Sequence, residues 1–306
     1  MPRSPEPMPL RVAVVGTGRV ATALAHGIAG LRGQPCAAED LDVELIGVAG
    51  RDEAAAHDLA AACRTSALPL AVATAGADLV VLAVSDDAIP AVAARLAGAG
   101  APVRAGGAAV HVSGATGRDA LTPLAAVGWA TGCWHPLQAF ATRRSRIDPG
   151  SLWTVTADPA LTRTVTALTA RLGGQAHPLA DDHRAVYHAA ATLAVTSAVA
   201  GIAQAQALLS RCGLGDAPTV PALARLVAGS LAGVAEVGPA QGLTGPLVRG
   251  DLGTVRRHAA ALAEQPPARD LYAASGRAVI PLLAERGLAP EVTAALAGAL
   301  DGPPGT

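Results

Sequence analysis

Near the start of the chain an apolar run, Val12-Ala13-Val14-Val15, leads into Gly16-Thr17-Gly18-Arg19-Val20-Ala21, and the Ala-rich stretch Val20 to Leu31 follows. A β-branched run, a G-x-G-x-x-A turn and a helical stretch, in that order, form the opening βα unit of a doubly wound sheet. Gly16 admits the tight turn, Gly18 lets the backbone come close to a pyrophosphate, and Ala21 lets the helix pack against the strand. The free N–H groups at the start of the helix then favour an anion. The expectation is a dinucleotide-binding loop made of Gly16, Thr17, Gly18, Arg19, Val20 and Ala21.

The end of the next strand, Val43 to Ala49, bears on which dinucleotide. NAD sites place a carboxylate there for the ribose 2′-hydroxyl. Here Gly50 takes that place and Arg51 follows, with a guanidinium suited to a 2′-phosphate. The reading is NADP(H). Asp52 either keeps NAD open or only caps the next helix. Arg19 meets phosphate or is solvated. Ser85 ends the run from Leu79 to Val84, on the side where open α/β sheets bind ligands, and either touches cofactor or caps the following helix.

Further strands are expected at Ala108–Val112, Trp129–Trp134, Leu152–Thr156 and Gln175–Pro178, with a weaker one near Leu70 to Val72. Helices fall between them at 53–63, 89–97 and 159–172. Strands this apolar imply a parallel sheet covered on both faces. After Leu179 the β signals end, and Ala/Leu-rich stretches fill 182–212, 217–235, 251–264, 269–286 and 289–300. The expected fold class is α/β: a doubly wound parallel sheet over residues 1–180, then an all-α domain over 181–306.

Composition narrows the function. At 51% hydrophobic and 15% charged over 306 residues, the chain is not disordered. With 2% aromatics and a net charge of −1 it carries no footprint for nucleic acid. All 23 cationic side chains are Arg, and the chain has neither Lys nor Asn. Schiff-base and P-loop lysine chemistry is therefore excluded. Cys36, Cys63, Cys133 and Cys212 form no CxxC pair, so no metal site is expected and all four read as small buried side chains. Residues 1–9 lack the apolar segment of a signal peptide. No stretch reaches about 18 strongly apolar residues, Gln204 and Gln206 interrupting the nearest. The expectation is a cytoplasmic, soluble protein with no membrane partner.

Polar residues in apolar surroundings mark a substrate side. Ser113, in His111-Val112-Ser113-Gly114, bonds the nicotinamide carboxamide or substrate, or closes a turn. His135 and Gln138, in Trp134-His135-Pro136-Leu137-Gln138-Ala139-Phe140, are candidates for substrate binding, although His135 could equally brace the domain boundary. Arg184, His188, Thr192 and Thr196 fall at i+4 steps on one helical stripe, with Tyr187 beside them. A hydride transfer needs a proton donor near the receiving atom. His188 is the first candidate and Tyr187 the second, with a dimer-contact or core histidine as the alternative. Thr192 lies on the same stripe as a substrate contact. Arg249, in Leu243-Thr244-Gly245-Pro246-Leu247-Val248-Arg249-Gly250-Asp251, could clamp a substrate carboxylate or pair with Asp251.

Taken together, the Gly16 loop, His111-Val-Ser-Gly, His135-Pro-Leu-Gln-Ala-Phe, Tyr187-His-Ala-Ala-Ala and the Leu243–Asp251 motif resemble bacterial Rossmann-like proteins with a C-terminal DUF2520 domain, over about residues 10–286. That family is similar to pyrroline-5-carboxylate reductase, ketopantoate reductase and the β-hydroxyacid dehydrogenases. The resemblance implies an NADP-binding domain, an all-helical second domain and a homodimer built through those helices. The lysine that β-hydroxyacid dehydrogenases and ketopantoate reductases use has no counterpart here, and Val195-Thr196 stands where relatives often show Ser-Asn. The resulting expectation is an NADPH-dependent reductase of a small oxoacid or imine, with ketopantoate first and pyrroline-5-carboxylate next. The rivals are an NADP-binding sensor without catalysis, and reduction of a deazaflavin.

Overall fold

The computed structural model describes residues 8–34, 41–99 and 107–300. The chain divides into two compact units, Met1–Ala191 and Thr192–Thr306.

In the first unit β1 (Leu10–Val15), α1 (Arg19–Gly30), β2 (Val43–Ala49), α2 (Glu53–Ala62) and the two-residue β3 (Ser66–Ala67) come first. They are followed by α3 (Leu70–Ala75), β4 (Leu79–Leu82), α4 (Ile89–Gly98), β5 (Ala108–His111), the short α5 (Thr122–Ala125) and β6 (Ala130–Pro136). Next come β7 (Leu152–Ala157), α6 (Pro159–Arg171) and β8 (Gln175–Pro178). The eight strands form one sheet in the order β3-β2-β1-β4-β5-β6-β7-β8. The order reverses between β1 and β4, which opens a crevice at their carboxyl ends.

Alternation along β1 explains why these strands are apolar throughout. Val12 and Val14 pack on one face with Leu24 and Ile28, whereas Ala13 and Val15 pack on the other with Ile89 and Leu96. Both faces are covered there, so the central strands β4 and β5 bury every side chain.

Two expectations change. Leu70 to Val72 is not a strand but the start of α3: Pro69 precedes it, and the carbonyl of Pro69 accepts from Val72 and Ala73 N–H groups. A short apolar run does not distinguish the two states, and the Ala-rich context decides. The sheet is also not parallel throughout. β6 and β7 pair antiparallel, with His135 opposite Thr154. Across that pair Trp134 and Trp153, both fully buried, stack at 4.5 Å.

The helix α7 (Arg184–Arg211) carries its first eight residues in the first unit. The second unit continues with α8 (Asp216–Gly242), which is broken at Gly238 ahead of Pro239, then α9 (Leu252–Ala261), α10 (Pro266–Glu285) and α11 (Pro290–Leu300). Val255, Leu283, Leu296 and Leu300 form a core among the last three. The Arg286 guanidinium closes the end of α8 on the carbonyls of Ala240, Gln241 and Leu243.

The two long helices differ from the rest. Arg184 is the buried residue of α7 and Thr219 that of α8. Leu193 is 68% exposed and Leu226 70%. By length and composition alone the segments Asp181–Arg211 and Asp216–Gly242 are apolar enough to cross a membrane, with mean hydropathy 1.5 and 1.4. This corrects the expectation that no such stretch exists, because Ala, Leu and Val outweigh the interrupting Gln, Ser and Thr. The cysteines are corrected as well: Cys63 and Cys133 are buried, but Cys212 is exposed. Cys36 lies outside the described residues.

Candidate active site

The turn after β1 sits at the point where strand order reverses. Gly16 N–H donates to the Ala49 carbonyl, and Ala83 N–H donates to the Val15 carbonyl. Gly16 has φ +133°, and a Cβ there would lie 2.2 Å from the Ala83 carbonyl oxygen and 3.3 Å from Ala21 Cβ. Only glycine fits, on both steric and conformational grounds. Gly18 caps α1 in extended conformation, and no side chain caps the helix. A Cβ on Gly18 would meet nothing within 4 Å. The first N–H groups of α1 therefore end at an open, small-residue turn, the arrangement that cradles a phosphate. Thr17 packs against Gly50, whose Cβ would approach Thr17 Cγ2 to 2.7 Å. Val20 packs against the core and Ala21 is fully buried. Arg19 donates through Nη1 to the Ala141 carbonyl at 3.1 Å.

At the end of β2 the two charged residues part. Asp52 caps α2, its carboxylate accepting from Ala55 N–H at 3.0 Å. Arg51 is exposed beside it. Ser85 is exposed and stands at the start of the 3-10 turn Asp86–Ala88; its carbonyl accepts from Ala88 N–H, and its side chain makes no capping bond.

A second cluster forms beyond β5. Ser113 Oγ accepts from the N–H groups of Ala115 and Thr116 and bonds Thr116 Oγ1 at 3.0 Å. Its hydroxyl thus closes a turn. His111, fully buried, donates through Nε2 to the Gly117 carbonyl and accepts at Nδ1 from Ser113 N–H. Burial holds its pKa below the ordinary imidazole value, and burial pushes the neighbouring Cys133 thiol up to about 12.

Sequence reasoning placed Arg184 on the His188 stripe but missed its role. Arg184 is 1% exposed. It donates through Nη2 to the Ser113 carbonyl (2.6 Å), through Nε to the Thr116 carbonyl (2.8 Å) and through Nη1 to Thr156 Oγ1 (3.0 Å). The guanidinium thereby locks the turn 113–116 from inside. Nothing in the i+4 spacing signalled this, since the acceptors lie 28 to 71 residues earlier.

Over that turn three predicted residues meet. His135 Nδ1 lies 2.7 Å from Tyr187 Oη, and the His135 ring meets those of Tyr187 and His188 edge-on. A Cβ on Gly114 would come within 2.6 Å of His188 Nδ1 and 2.9 Å of His135 Nε2. Gly114, which the sequence offered only as the end of a motif, is the seat of both imidazoles. Burial, with His188 beside it, lowers the His135 pKa to about 4. Burial raises that of Tyr187. At neutral pH the pair is an uncharged imidazole bonded to an uncharged phenol, which can move a proton without a change in net charge.

Gln138 does not join this group: its Nε2 donates to the Arg146 carbonyl at 2.6 Å and its Oε1 accepts from Asp148 N–H at 3.0 Å, tying its own loop together. Thr192 and Arg249 belong to the second unit and are exposed there. Asp251 caps α9, accepting from Thr254 N–H and Oγ1.

Comparison with known proteins agrees with this architecture. Residues 4–136 match the model of a Rossmann-like domain, and residues 151–279 match a domain of unknown function, DUF2520. No curated protein matches. Among solved structures, the Thermotoga maritima protein TM1727 is 18% identical with a TM-score of 0.66, over 90% of this chain and 100% of that one. A pyrroline-5-carboxylate reductase from Coxiella burnetii is 15% identical with a TM-score of 0.58, over 95% and 96%. A reductive aminase from Aspergillus terreus in complex with NADPH and ethyl-5-oxohexanoate is 17% identical with a TM-score of 0.56, over 96% and 93%. At these identities the likeness is one of fold. The two matches, to a Rossmann-like domain and then to DUF2520, are in the order that the motifs of the chain resemble.

Proposed function

We propose that this protein is an NADP-dependent reductase of a small compound bearing a C=N or C=O bond. The observation that carries the proposal is the open N-terminus of α1 behind Gly16 and Gly18, at the switch point of the sheet. The backbone there fits a pyrophosphate. Arg51, exposed at the end of β2 while Asp52 is spent as a helix cap, favours a 2′-phosphate over a free hydroxyl. NADPH, when bound, supplies the hydride.

The protein's own part is to bind, orient and protonate. Tyr187 and His188 are the candidate proton donors, and His135 holds the Tyr187 oxygen in place. Burial raises the Tyr187 pKa, so the phenol holds a proton it can give to a nitrogen or oxygen that gains electrons. We would assay imines before oxoacids, a choice supported only by the likeness of fold to a pyrroline-5-carboxylate reductase and a reductive aminase. Ketopantoate remains the carbonyl candidate, and Ser85, exposed after β4, is the side-chain contact proposed for the cofactor.

A sensor that binds NADP without turnover is the second reading, favoured by the absence of any lysine. Titration of NADPH and NADH into the protein, followed by nicotinamide fluorescence with pyrroline-5-carboxylate or ketopantoate added, separates them. Tight NADPH binding with oxidation supports the reductase. Tight binding without NADPH oxidation on addition of either substrate supports the sensor. Binding of neither nucleotide sinks both.

The exposed apolar side chains of α7 and α8 support a homodimer, in which a second copy covers Leu193 and Leu226.

A further inference from the structure

We propose that Gly114 is a positioning residue that fixes the tautomers of both imidazoles seated on it, so that His188 presents Nε2–H while His135 donates Nδ1–H to Tyr187. The Tyr187 O–H is then directed away from His135, on a phenol that also neighbours the Thr154 hydroxyl.

The argument begins with what faces each ring nitrogen. His188 Nδ1 and His135 Nε2 both lie where a side chain of residue 114 would begin. That side of a glycine carries only a C–H bond and offers no acceptor. His188 Nδ1 is buried and, among the described residues, has no hydrogen-bond partner. A neutral imidazole has one N–H and one lone pair. Placing the N–H at Nδ1 would strand a buried donor, at about 1–3 kcal/mol. Placing the lone pair there leaves it against a Cα–H, a weak but favourable contact. The proton of His188 therefore belongs on Nε2.

The same reasoning applies to His135. Its Nε2 faces Gly114, whereas its Nδ1 has a partner 2.7 Å away in Tyr187 Oη. The N–H belongs where the acceptor is. His135 thus donates to the phenol oxygen, and the phenol O–H points elsewhere. The groups facing His135 are His188, Arg184, Asp86, His111 and Tyr187, and burial keeps the ring uncharged. The Arg184 clamp on Ser113 and Thr116 holds Gly114 in place under both rings.

The consequence rests on the reductase reading. As the carbon of a C=N bond receives hydride, the bond's electron pair moves to nitrogen. The nitrogen takes the Tyr187 proton: the O–H bond breaks and an N–H bond forms. The phenolate that remains is held by the His135 Nδ1–H hydrogen bond and takes its replacement proton from water.

The test uses the full chain labelled with ¹⁵N-histidine, at neutral pH, with resonances assigned by loss in His135→Gln and His188→Gln. Long-range ¹H–¹⁵N spectra separate protonated from unprotonated ring nitrogens. The expected result is opposite tautomers: His188 with Nδ1 unprotonated, His135 with Nε2 unprotonated. Tyr187→Phe should shift His135 Nδ1 and leave His188 unchanged. In Gly114→Ala at least one ring should lose its tautomer. A His188 Nδ1–H, a His135 Nε2–H, or a Gly114→Ala protein that folds and keeps both tautomers overturns the proposal. If Gly114→Ala does not fold, the wild-type spectra decide alone. Absence of NADPH oxidation would sink the reductase and leave these tautomers standing, so the two failures are distinguishable.

Discussion

His135 Nδ1, at the end of β6, stands 2.7 Å from the phenolic oxygen of Tyr187 in the first turn of α7. The contact joins a strand of the sheet to a helix 52 residues later. β6 is flanked by β5 and β7, so the imidazole is held from an interior strand. Replacing Tyr187 by Phe removes one oxygen from that arrangement. NADPH affinity should stay within about twofold, while the rate of imine reduction should fall about 100-fold or more, the loss typical of a missing proton donor. An unchanged rate would return the role to His188.

Acid should weaken the fold through His135. Its pKa falls from 6.5 in the unfolded chain to about 4 in the fold. The unfolded chain then binds more protons between those values. This contribution is complete above about pH 6.5 and is lost as pH falls towards 4, amounting to about 3 kcal/mol at most. Urea unfolding at pH 7, 6, 5 and 4 should show the decline, and His135→Gln should flatten it. His111, also lowered by burial, acts in the same direction.

Gly16 and Gly18 should fail differently. Gly16→Ala drives a Cβ into the Ala83 carbonyl at φ +133°, so the whole βα unit must shift, and unfolding stability should drop by about 2 kcal/mol or more. Gly18→Ala has room and an ordinary φ of −74°. Its melting temperature should hold while nucleotide affinity falls, because the added methyl stands where the backbone must approach a phosphate.

Arg184 should matter more than its place on a polar stripe suggests. Arg184→Ala strands the Ser113 and Thr116 carbonyls in a buried turn and should cost about 3 kcal/mol in thermal or urea unfolding. Arg184→Lys should recover little, since a single ammonium cannot reproduce a fork that reaches three acceptors.

Leu193→Glu and Leu226→Glu should leave the protein folded and shift it from dimer to monomer in sedimentation without detergent. A wild-type monomer in that buffer would refute the dimer. A wild-type protein recovered only in detergent would point to the membrane instead.

Much of the fold was legible because periodicity and turn chemistry are local. β1, β2 and β8 run as expected, and Gly16 marks the switch point before any strand is paired. Leu70 to Val72 misled because a short apolar run suits either state. The site was legible in residue type but not in role. His135, Tyr187 and His188 do converge, yet Gln138 and Ser113 are engaged in their own loops. The seat at Gly114 and the Arg184 clamp depend on hydrogen bonds and close packing across 21 to 74 residues, which no short window of sequence contains.

The stacked Trp134 and Trp153 have a further consequence. With Trp129, also buried, they are all the tryptophans of the chain, and all three lie before residue 192. Indole emission therefore reports one unit only, and the helical unit is dark at that wavelength. Far-ultraviolet circular dichroism sees the helices of both. If the two units melt separately, the optical curves will part, and their separation will measure how far each unit stands without the other.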